Sequence, residues 1–355
     1  MSYLHNFFFS ISKTILVILL LFSVLSCTRK SDKSDMLPGE KTSVYHACSG
    51  INDFDELFTL EQTIQLDNNP EAFFSMPWTY TMSSDYIFVS DSRVVKEYFK
   101  DGSFKANFGR NGKGPGEFET VDNVICTNDN LILYDPSTQR ISVYDKSSNQ
   151  LINYISFKFY LEDIAVSEEY IVLLRKLGMG YKYDFDVYKI SGENMFSGVL
   201  PASAFEENRS HLSGGGFKIN VSGDKMYYVG ADEYKIICYD ITTRTISWMT
   251  NELPDVVKHP VIPAKLKTSP ISERIKWMKE NYTFLRGLYL TSNGLIILHV
   301  KNYFVLYDTN GNYIKYLKVD DEKKIFNYLN SRLYAITFPS DKTNSKLYVF
   351  SDRLK

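Results

Sequence analysis

The chain of 355 residues is 44% hydrophobic and 15% aromatic, so it is able to bury a large core. Its 26 Tyr and 24 Phe residues favour strands over helices, and this composition predicts an all-β protein. The 40 basic and 42 acidic side chains give a formal charge of −2. They form no long run of one sign that could follow a phosphate backbone, which argues against a nucleic acid partner.

The N-terminus has the pattern of a secretory signal peptide, which we predict over residues 1–26. Residues 1–12 contain no acidic side chain, Lys13 supplies a positive charge, and residues 14–25 are almost wholly apolar. This run is short for a transmembrane helix, which needs about 20 apolar residues. Because the phenylalanines before it could lengthen the run, an uncleaved membrane anchor is the alternative interpretation.

The signal peptide ends in Val24-Leu25-Ser26-Cys27, which resembles a bacterial lipobox, although Leu is more common than Val at its first position. The resemblance implies that Cys27 becomes the lipidated first residue of a cell-envelope protein. Acyl chains contribute about 0.8 kcal/mol per buried methylene, so they would hold the protein on a membrane. We expect this to be the outer membrane, on its periplasmic or its surface face. The polar residues that follow predict a flexible tether over residues 27–57.

The rest of the chain repeats a unit of three short apolar runs separated by turns, and such repeats are the strongest indication of fold. The first unit has runs at Ile87–Asp91, Val94–Phe99 and Phe104–Phe108. The aromatic residue of the middle run recurs, by difference of residue numbers, at separations of 46, 44, 51, 68 and 43. These residues are Tyr98, Tyr144, Tyr188, Tyr239, Tyr307 and Phe350. Blades of roughly 40 to 50 residues are typical of β-propellers.

A further apolar run precedes each unit and would form the strand nearest the propeller axis. These runs are Trp78–Met82, Val121–Cys126, Ile164–Val166, Phe217–Val221, Leu288–Leu290 and Ile325–Leu329. The sequence therefore predicts an all-β, six-bladed β-propeller of four-stranded antiparallel blades over residues 58–355. The sixth blade lacks an outer strand, which Gln62–Leu66 would supply to close the ring. A β-sandwich or an open sheet would explain the strands but not the recurring unit.

The separation of 68 residues indicates an insertion, which we place at about residues 251–286. A proline-rich stretch precedes a helical pattern from Ile271 to Tyr282, with Ser269 as the predicted N-cap and Pro270 in the first turn. One face of this helix would carry Ile271, Ile275, Met278 and Tyr282. Two interpretations stay open: a helix packed on the side or rim of the propeller, and a lid over a ligand cleft.

Between the first two units lies Gly109-Arg110-Asn111-Gly112-Lys113-Gly114-Pro115-Gly116-Glu117-Phe118. It is similar to the G-x-x-G-x-G-P-G-E-F segment of the six-bladed β-propeller lipoproteins abundant in Bacteroidales-type bacteria, which are related in architecture to NHL-repeat and TolB-like propellers. The resemblance implies the fold and an extracytoplasmic location, but no biochemical activity. The glycines permit positive φ and close backbone approach, which indicates a structural role. A phosphate loop is disfavoured, because Lys113 is followed by glycine and not by Ser or Thr.

The sequence offers few candidates for chemistry, since it contains no HExxH, GxSxG, CxxC or EF-hand pattern. The histidines beyond the signal peptide are His46, His211, His259 and His299, and we predict His211 and His299 to be surface or hydrogen-bonded residues. We expect no metal site from Cys48, Cys126 and Cys238, and we predict the last two to be small buried hydrophobes. We therefore assign no catalytic residue, no metal ligand and no cofactor.

Acidic residues recur where strands give way to turns, at Asp91, Asp135, Asp145, Asp240 and Asp308. Aspartate at such positions commonly accepts hydrogen bonds from the backbone two residues further on, so we predict a role in the turns. A calcium site is the alternative interpretation, because hard cations bind carboxylates.

Two classes of function fit these observations. The first, which we favour, is an envelope binding or scaffolding module whose aromatic-rich face contacts a glycan, a peptide or a partner protein. The second is a metal-dependent hydrolase or lyase, with Asp, Glu, Asn or His side chains converging at one end of the axis. Since a closed ring hides its strand edges, we expect a monomer.

Overall fold

The computed structural model describes residues 42–73, 77–176, 179–200, 217–230, 234–250, 252–255, 257, 263–281, 285–319, 324–329, 331–337 and 345–353. Within these ranges the chain forms six four-stranded antiparallel sheets, one two-stranded parallel pair and four helices. The six sheets are the blades of a propeller, so the predicted all-β, six-bladed fold is confirmed.

The first half of the chain contains an N-terminal segment and blades 1 to 3. The N-terminal segment has α1 (Ser43–Ser49), α2 (Phe54–Leu57) and β1 (Phe58–Gln65). Blade 1 has β2 (Pro77–Met82), β3 (Tyr86–Asp91), β4 (Val94–Phe99) and β5 (Phe104–Phe108). The parallel pair β6 (Arg110–Asn111) and β7 (Glu117–Phe118) leads to blade 2, with β8 (Asn123–Cys126), β9 (Asn130–Asp135), β10 (Arg140–Asp145) and β11 (Leu151–Ser156). Blade 3 has β12 (Leu161–Val166), β13 (Tyr170–Arg175), β14 (Phe185–Lys189) and β15 (Asn194–Gly198).

The second half of the chain contains blades 4 to 6. Blade 4 has β16 (Phe217–Ser222), β17 (Lys225–Gly230), β18 (Ile236–Asp240) and β19 (Thr245–Met249). Helices α3 (Ala264–Lys267) and α4 (Ile271–Asn281) precede blade 5, with β20 (Leu285–Leu290), β21 (Leu295–Val300), β22 (Tyr303–Asp308) and β23 (Tyr313–Lys318). Blade 6 has β24 (Lys324–Leu329), β25 (Arg332–Thr337) and β26 (Lys346–Asp352).

Blade 6 is built from both ends of the described chain. Strand β1 pairs antiparallel with β26 and forms the outer edge of the β24–β25–β26 sheet. Thr63 lies opposite Tyr348, and Ile64 lies opposite Leu347. The closing strand was predicted at Gln62–Leu66. In the structure the strand begins earlier, at Phe58, and ends at Gln65.

The core consists of six apolar clusters, and each cluster lies between two neighbouring blades. Between blades 1 and 2, for example, Phe88 and Val95 pack with Val124 and Leu133. Full burial of one such side chain contributes about 1.5 to 3 kcal/mol. Every blade therefore buries both of its faces, and each depends on the neighbour on either side.

The recurring aromatic residue occupies one structural position. In every blade it pairs with the second residue of the second strand, and the pairs include Tyr98 with Ile87 and Tyr307 with Ile296. A β-bulge beside it interrupts the pairing with the outer strand in all six blades. A bulge increases the local twist of a sheet, so each blade is twisted more strongly next to this residue.

The N-terminal segment is folded from Thr42 onwards, which corrects the flexible tether predicted to reach residue 57. The backbone amide and the hydroxyl of Thr42 both donate to Asp308 Oδ2 at 3.1 Å. Val44 and Cys48 of α1 are buried with side chains of blades 5 and 6. Two apolar contacts per short helix give a weak periodic signal, which explains why the sequence did not indicate this segment.

The predicted signal peptide and Cys27 lie outside the described residues. Within the described part of the chain, no helix is long and apolar enough to span a bilayer.

The glycine-rich segment is a tight loop between blades 1 and 2, held by the β6–β7 pair. Glu117 Oε2 accepts a hydrogen bond from the Gly114 amide at 2.9 Å, and the buried Arg140 donates to two carbonyl oxygens of the loop. Gly109 has φ +80°, and a Cβ atom on it would lie 2.1 Å from the Phe118 ring. The structural role predicted for these glycines is confirmed.

The insertion contains the predicted helix as α4, preceded by the shorter α3. The Ser269 hydroxyl, which we predicted to cap α4, donates to the Lys265 carbonyl oxygen at 3.1 Å. Leu253 and Val257 pack into the cluster between blades 4 and 5, so the start of the insertion is part of the core. The side chains of Ile271, Ile275 and Met278, and residue Tyr282, lie outside the described part, and both interpretations of the helix stay predictions.

We predict that Gly109→Ala lowers the free energy of unfolding by roughly 2 to 4 kcal/mol, because it combines backbone strain with a clash against the Phe118 ring. Gly116→Ala is the matched control, since Gly116 has φ +75° but its nearest atom to a new Cβ, Tyr144 Oη, is 3.9 Å away. That variant should lose only about 1 kcal/mol. Urea denaturation measures both, and equal losses would contradict the proposed clash.

Candidate functional site

A channel of about 830 Å³ runs along the propeller axis. The innermost strands of all six blades, β2, β8, β12, β16, β20 and β24, line it. Each blade is an antiparallel meander that starts at the axis, so all six inner strands run in the same direction. We call the end at which they begin the upper end.

Four charged side chains line the channel where the inner strands begin. Asp122 directly precedes β8, Asp163 lies in β12, Lys218 lies in β16 and Arg286 lies in β20. We call this group the charged mouth. Asp122, Asp163 and Lys218 are partly buried, and Arg286 is exposed.

Asp163 and Lys218 join blades 3 and 4 at this mouth. Lys218 Nζ lies 3.6 Å from Asp163 Oδ1, and the Ile219 amide donates to Asp163 Oδ2 at 3.0 Å. The Asp163 side chain is only 12% exposed. Burial raises the pKa of this carboxyl above its ordinary value, and the Lys218 ammonium and the backbone amides oppose the rise.

Asp122 stands on the neighbouring blade. Burial and the adjacent Asp135 carboxylate raise the pKa of Asp122 above its ordinary value. Asp135 itself is held by the amides of Glu119 and Ser137, at 2.8 and 2.9 Å. The acidic side of the mouth therefore keeps two carboxylates in surroundings that disfavour their charge.

Below the mouth, polar side chains connect successive inner strands. Four of them occupy one level, since each pairs with the third residue of the second strand of its blade: Thr81, Asn220, Tyr289 and Asn327. Thr81 accepts from the Cys126 amide at 3.0 Å, whereas the other three donate to carbonyl oxygens of the next inner strand at 2.9 to 3.2 Å. They supply partners for backbone groups at the inner edge of each sheet.

The structure places the predicted histidines apart from one another. His46 is exposed on α1, and His211 and His259 lie outside the described residues. His299 is buried, with its Nδ1 3.5 Å from the hydroxyl oxygen of Tyr289 and its ring against Phe304. Of the two environments predicted for His299, the structure shows the hydrogen-bonded one.

Four of the five recurring acids accept hydrogen bonds in the turns, as predicted, and for Asp91, which is buried, the role in the turn stays a prediction. Asp135, Asp145, Asp240 and Asp308 each accept hydrogen bonds from backbone amides of the turn that follows, as in Ser148 N to Asp145 Oδ1 at 2.7 Å. Cys238 is buried in β18 and Cys126 is partly buried in β8. Among the described residues, no three His, Cys, Asp or Glu side chains form a group that could hold a metal ion.

The sequence analysis did not identify the charged mouth, although a signal for it existed. Asp122, Asp163, Lys218 and Arg286 each stand at or near the start of an apolar run that was predicted to line the axis. A charge beside a buried run resembles an ordinary strand end. Only the ring arrangement shows that these ends meet around one channel.

Comparisons with known proteins agree with the fold. A model of the family DUF5128, described as a 6-bladed beta-propeller, matches residues 39–197. The crystal structure of a "Putative exported protein" from Bacteroides fragilis NCTC 9343 is similar, with a TM-score of 0.62 over 86% of this chain and 98% of that chain, at 14% sequence identity. At this identity the likeness shows the fold alone. No curated protein matches the sequence.

The opposite pKa shifts of two aspartates predict opposite effects of pH on stability. Unfolded Asp titrates near pH 3.9. Since the folded pKa of Asp163 lies higher, the protein should lose stability relative to Asp163→Asn as pH rises from about 4 through that pKa. Hydrogen bonds from Ser147 and Ser148 lower the pKa of Asp145 to about 2, so relative to Asp145→Asn the protein should gain stability between about pH 2 and pH 4.

Urea denaturation at several pH values between 2 and 7 tests both signs on the same protein. The prediction concerns the slope of each difference with pH and not its absolute size. Slopes of the same sign for the two variants would contradict the assigned environments.

Proposed function

We propose that this protein is an exported lipoprotein, anchored to the outer membrane through Cys27, whose propeller binds a glycan, a peptide or a partner protein at the upper end of its channel. The charged mouth carries this proposal. Four charged side chains line one end of a cavity of about 830 Å³, which lies within the range of ligand pockets. All four stand at or beside the ends of strands in a ring closed by pairing, so the backbone that carries them is in place before a ligand arrives.

Polar groups within the channel support a binding role. The wall offers amides and hydroxyls, with Thr79 and Asn123 beside the charges and Ser222 and Ser292 towards the lower end. Such groups orient a polar ligand through hydrogen bonds, while the charges contribute to its selection.

The N-terminal sequence and the comparison with the Bacteroides fragilis protein support export. We expect full-length protein produced in a lipoprotein-processing bacterium to fractionate with outer membranes and to enter the detergent phase on phase separation. Cys27→Ala should leave the protein in the aqueous phase, because it removes the lipid attachment site. Cys48→Ala is the matched control and should still enter the detergent phase. Retention of Cys27→Ala in the detergent phase would favour the uncleaved anchor instead.

Binding is tested by incubating the full-length protein, purified in detergent, with pools of oligosaccharides and short peptides. Bound compounds are identified by mass spectrometry. Asn123→Trp should fill the mouth and reduce binding at least tenfold, whereas Ser156→Trp, on the exposed outer strand of the same blade, should not change it. Thermal melting of both variants checks that they fold. A ligand retained equally by both variants would place the binding site elsewhere. A stoichiometric divalent metal in the purified protein would favour the metal-dependent hydrolase or lyase instead.

A further inference from the structure

The charges of the mouth are sorted by side. Both acids, Asp122 and Asp163, stand on blades 2 and 3, and both bases, Lys218 and Arg286, stand on blades 4 and 5. The mouth therefore presents a negative wall and a positive wall around one entrance.

Asp122 and Arg286 stand on opposite blades at this entrance. In a ring of six blades, blade 2 lies opposite blade 5. Both stand at the end where the inner strands begin, because each directly precedes the residue that pairs with the fifth position of the second strand, Asn123 with Tyr134 and Gly287 with His299. Arg286 lies in the β-bulge between Leu285 and Gly287. A molecule that enters along the axis therefore passes between an acidic residue on one side and a basic residue on the other.

We infer that the mouth binds a short peptide through its two charged ends. The peptide ammonium contacts Asp122, with Asp163 nearby, and the peptide carboxylate contacts Arg286, with Lys218 nearby. This inference rests on the proposed binding function and names the ligand class.

The chemistry of the mouth favours this class over a neutral glycan. A carboxylate in partly buried surroundings is stabilised by a cation far more than by a hydroxyl group, because charge-assisted hydrogen bonds are about twice as strong as neutral ones. Burial raises the pKa of Asp122, which therefore gains from a positive partner, whereas Asp163 already has Lys218 Nζ at 3.6 Å. On the other wall, a guanidinium binds a carboxylate through two parallel hydrogen bonds.

Equilibrium dialysis of the full-length protein in detergent tests the inference with four probes: a tripeptide pool with free termini, the same pool N-acetylated, the same pool C-amidated, and a pool of neutral oligosaccharides. We expect retention of the free tripeptides and roughly tenfold weaker retention of each blocked pool. After Asp122→Asn, N-acetylation should no longer weaken retention. After Arg286→Gln, C-amidation should no longer do so.

Two variants outside the channel serve as matched controls. Asp85→Asn lies in the exposed turn before β3, and Arg93→Gln lies exposed at the upper end of blade 1. Both should bind the free tripeptides as the unaltered protein does. Retention of oligosaccharides alone would overturn the peptide inference and leave the binding function standing, whereas retention of no probe would count against both. Equal retention of free and blocked tripeptides would also overturn the inference.

Discussion

Each blade has apolar side chains on both faces, and the rest of the structure depends on this constraint. A four-stranded sheet buries a face only against another sheet, so every blade needs two neighbours. An open row would leave two apolar faces in water. The closed ring buries both faces of all six blades, with one apolar cluster between each pair of neighbours. Strand β1 completes the outer edge of blade 6, so both ends of the described chain belong to the same sheet.

Closing the ring creates a second requirement at the axis. Six inner strands turn an unpaired edge towards the channel, and their backbone groups need partners. Side-chain hydrogen bonds between neighbouring blades supply some of these partners. The side chains are those of Thr81, Asn220, Tyr289 and Asn327. The charged mouth lies above this level, where desolvation works against the charges of Asp122 and Asp163. The proposed binding function rests on these charges.

Local repetition made much of the fold predictable. The aromatic position at Tyr98 and its equivalents, the apolar inner runs and the glycine-rich loop all depend on residues close in sequence. Their structural roles follow from strand period, turn chemistry and glycine geometry. The helix α1 was missed because Val44 and Cys48 are its only buried side chains, and its attachment through Asp308 links residues 266 positions apart.

The sequence by itself determined that six similar units form a β-propeller, since each unit encodes its own strands, turns and buried positions. It also determined which segments lie at the axis. The tertiary structure decided which strand ends meet there. Asp122 and Arg286 are 164 positions apart by residue number, and only closure of the ring sets them on opposite walls of one channel. A local pattern fixes which face a side chain occupies within its blade, but the angle between blades decides what that side chain faces.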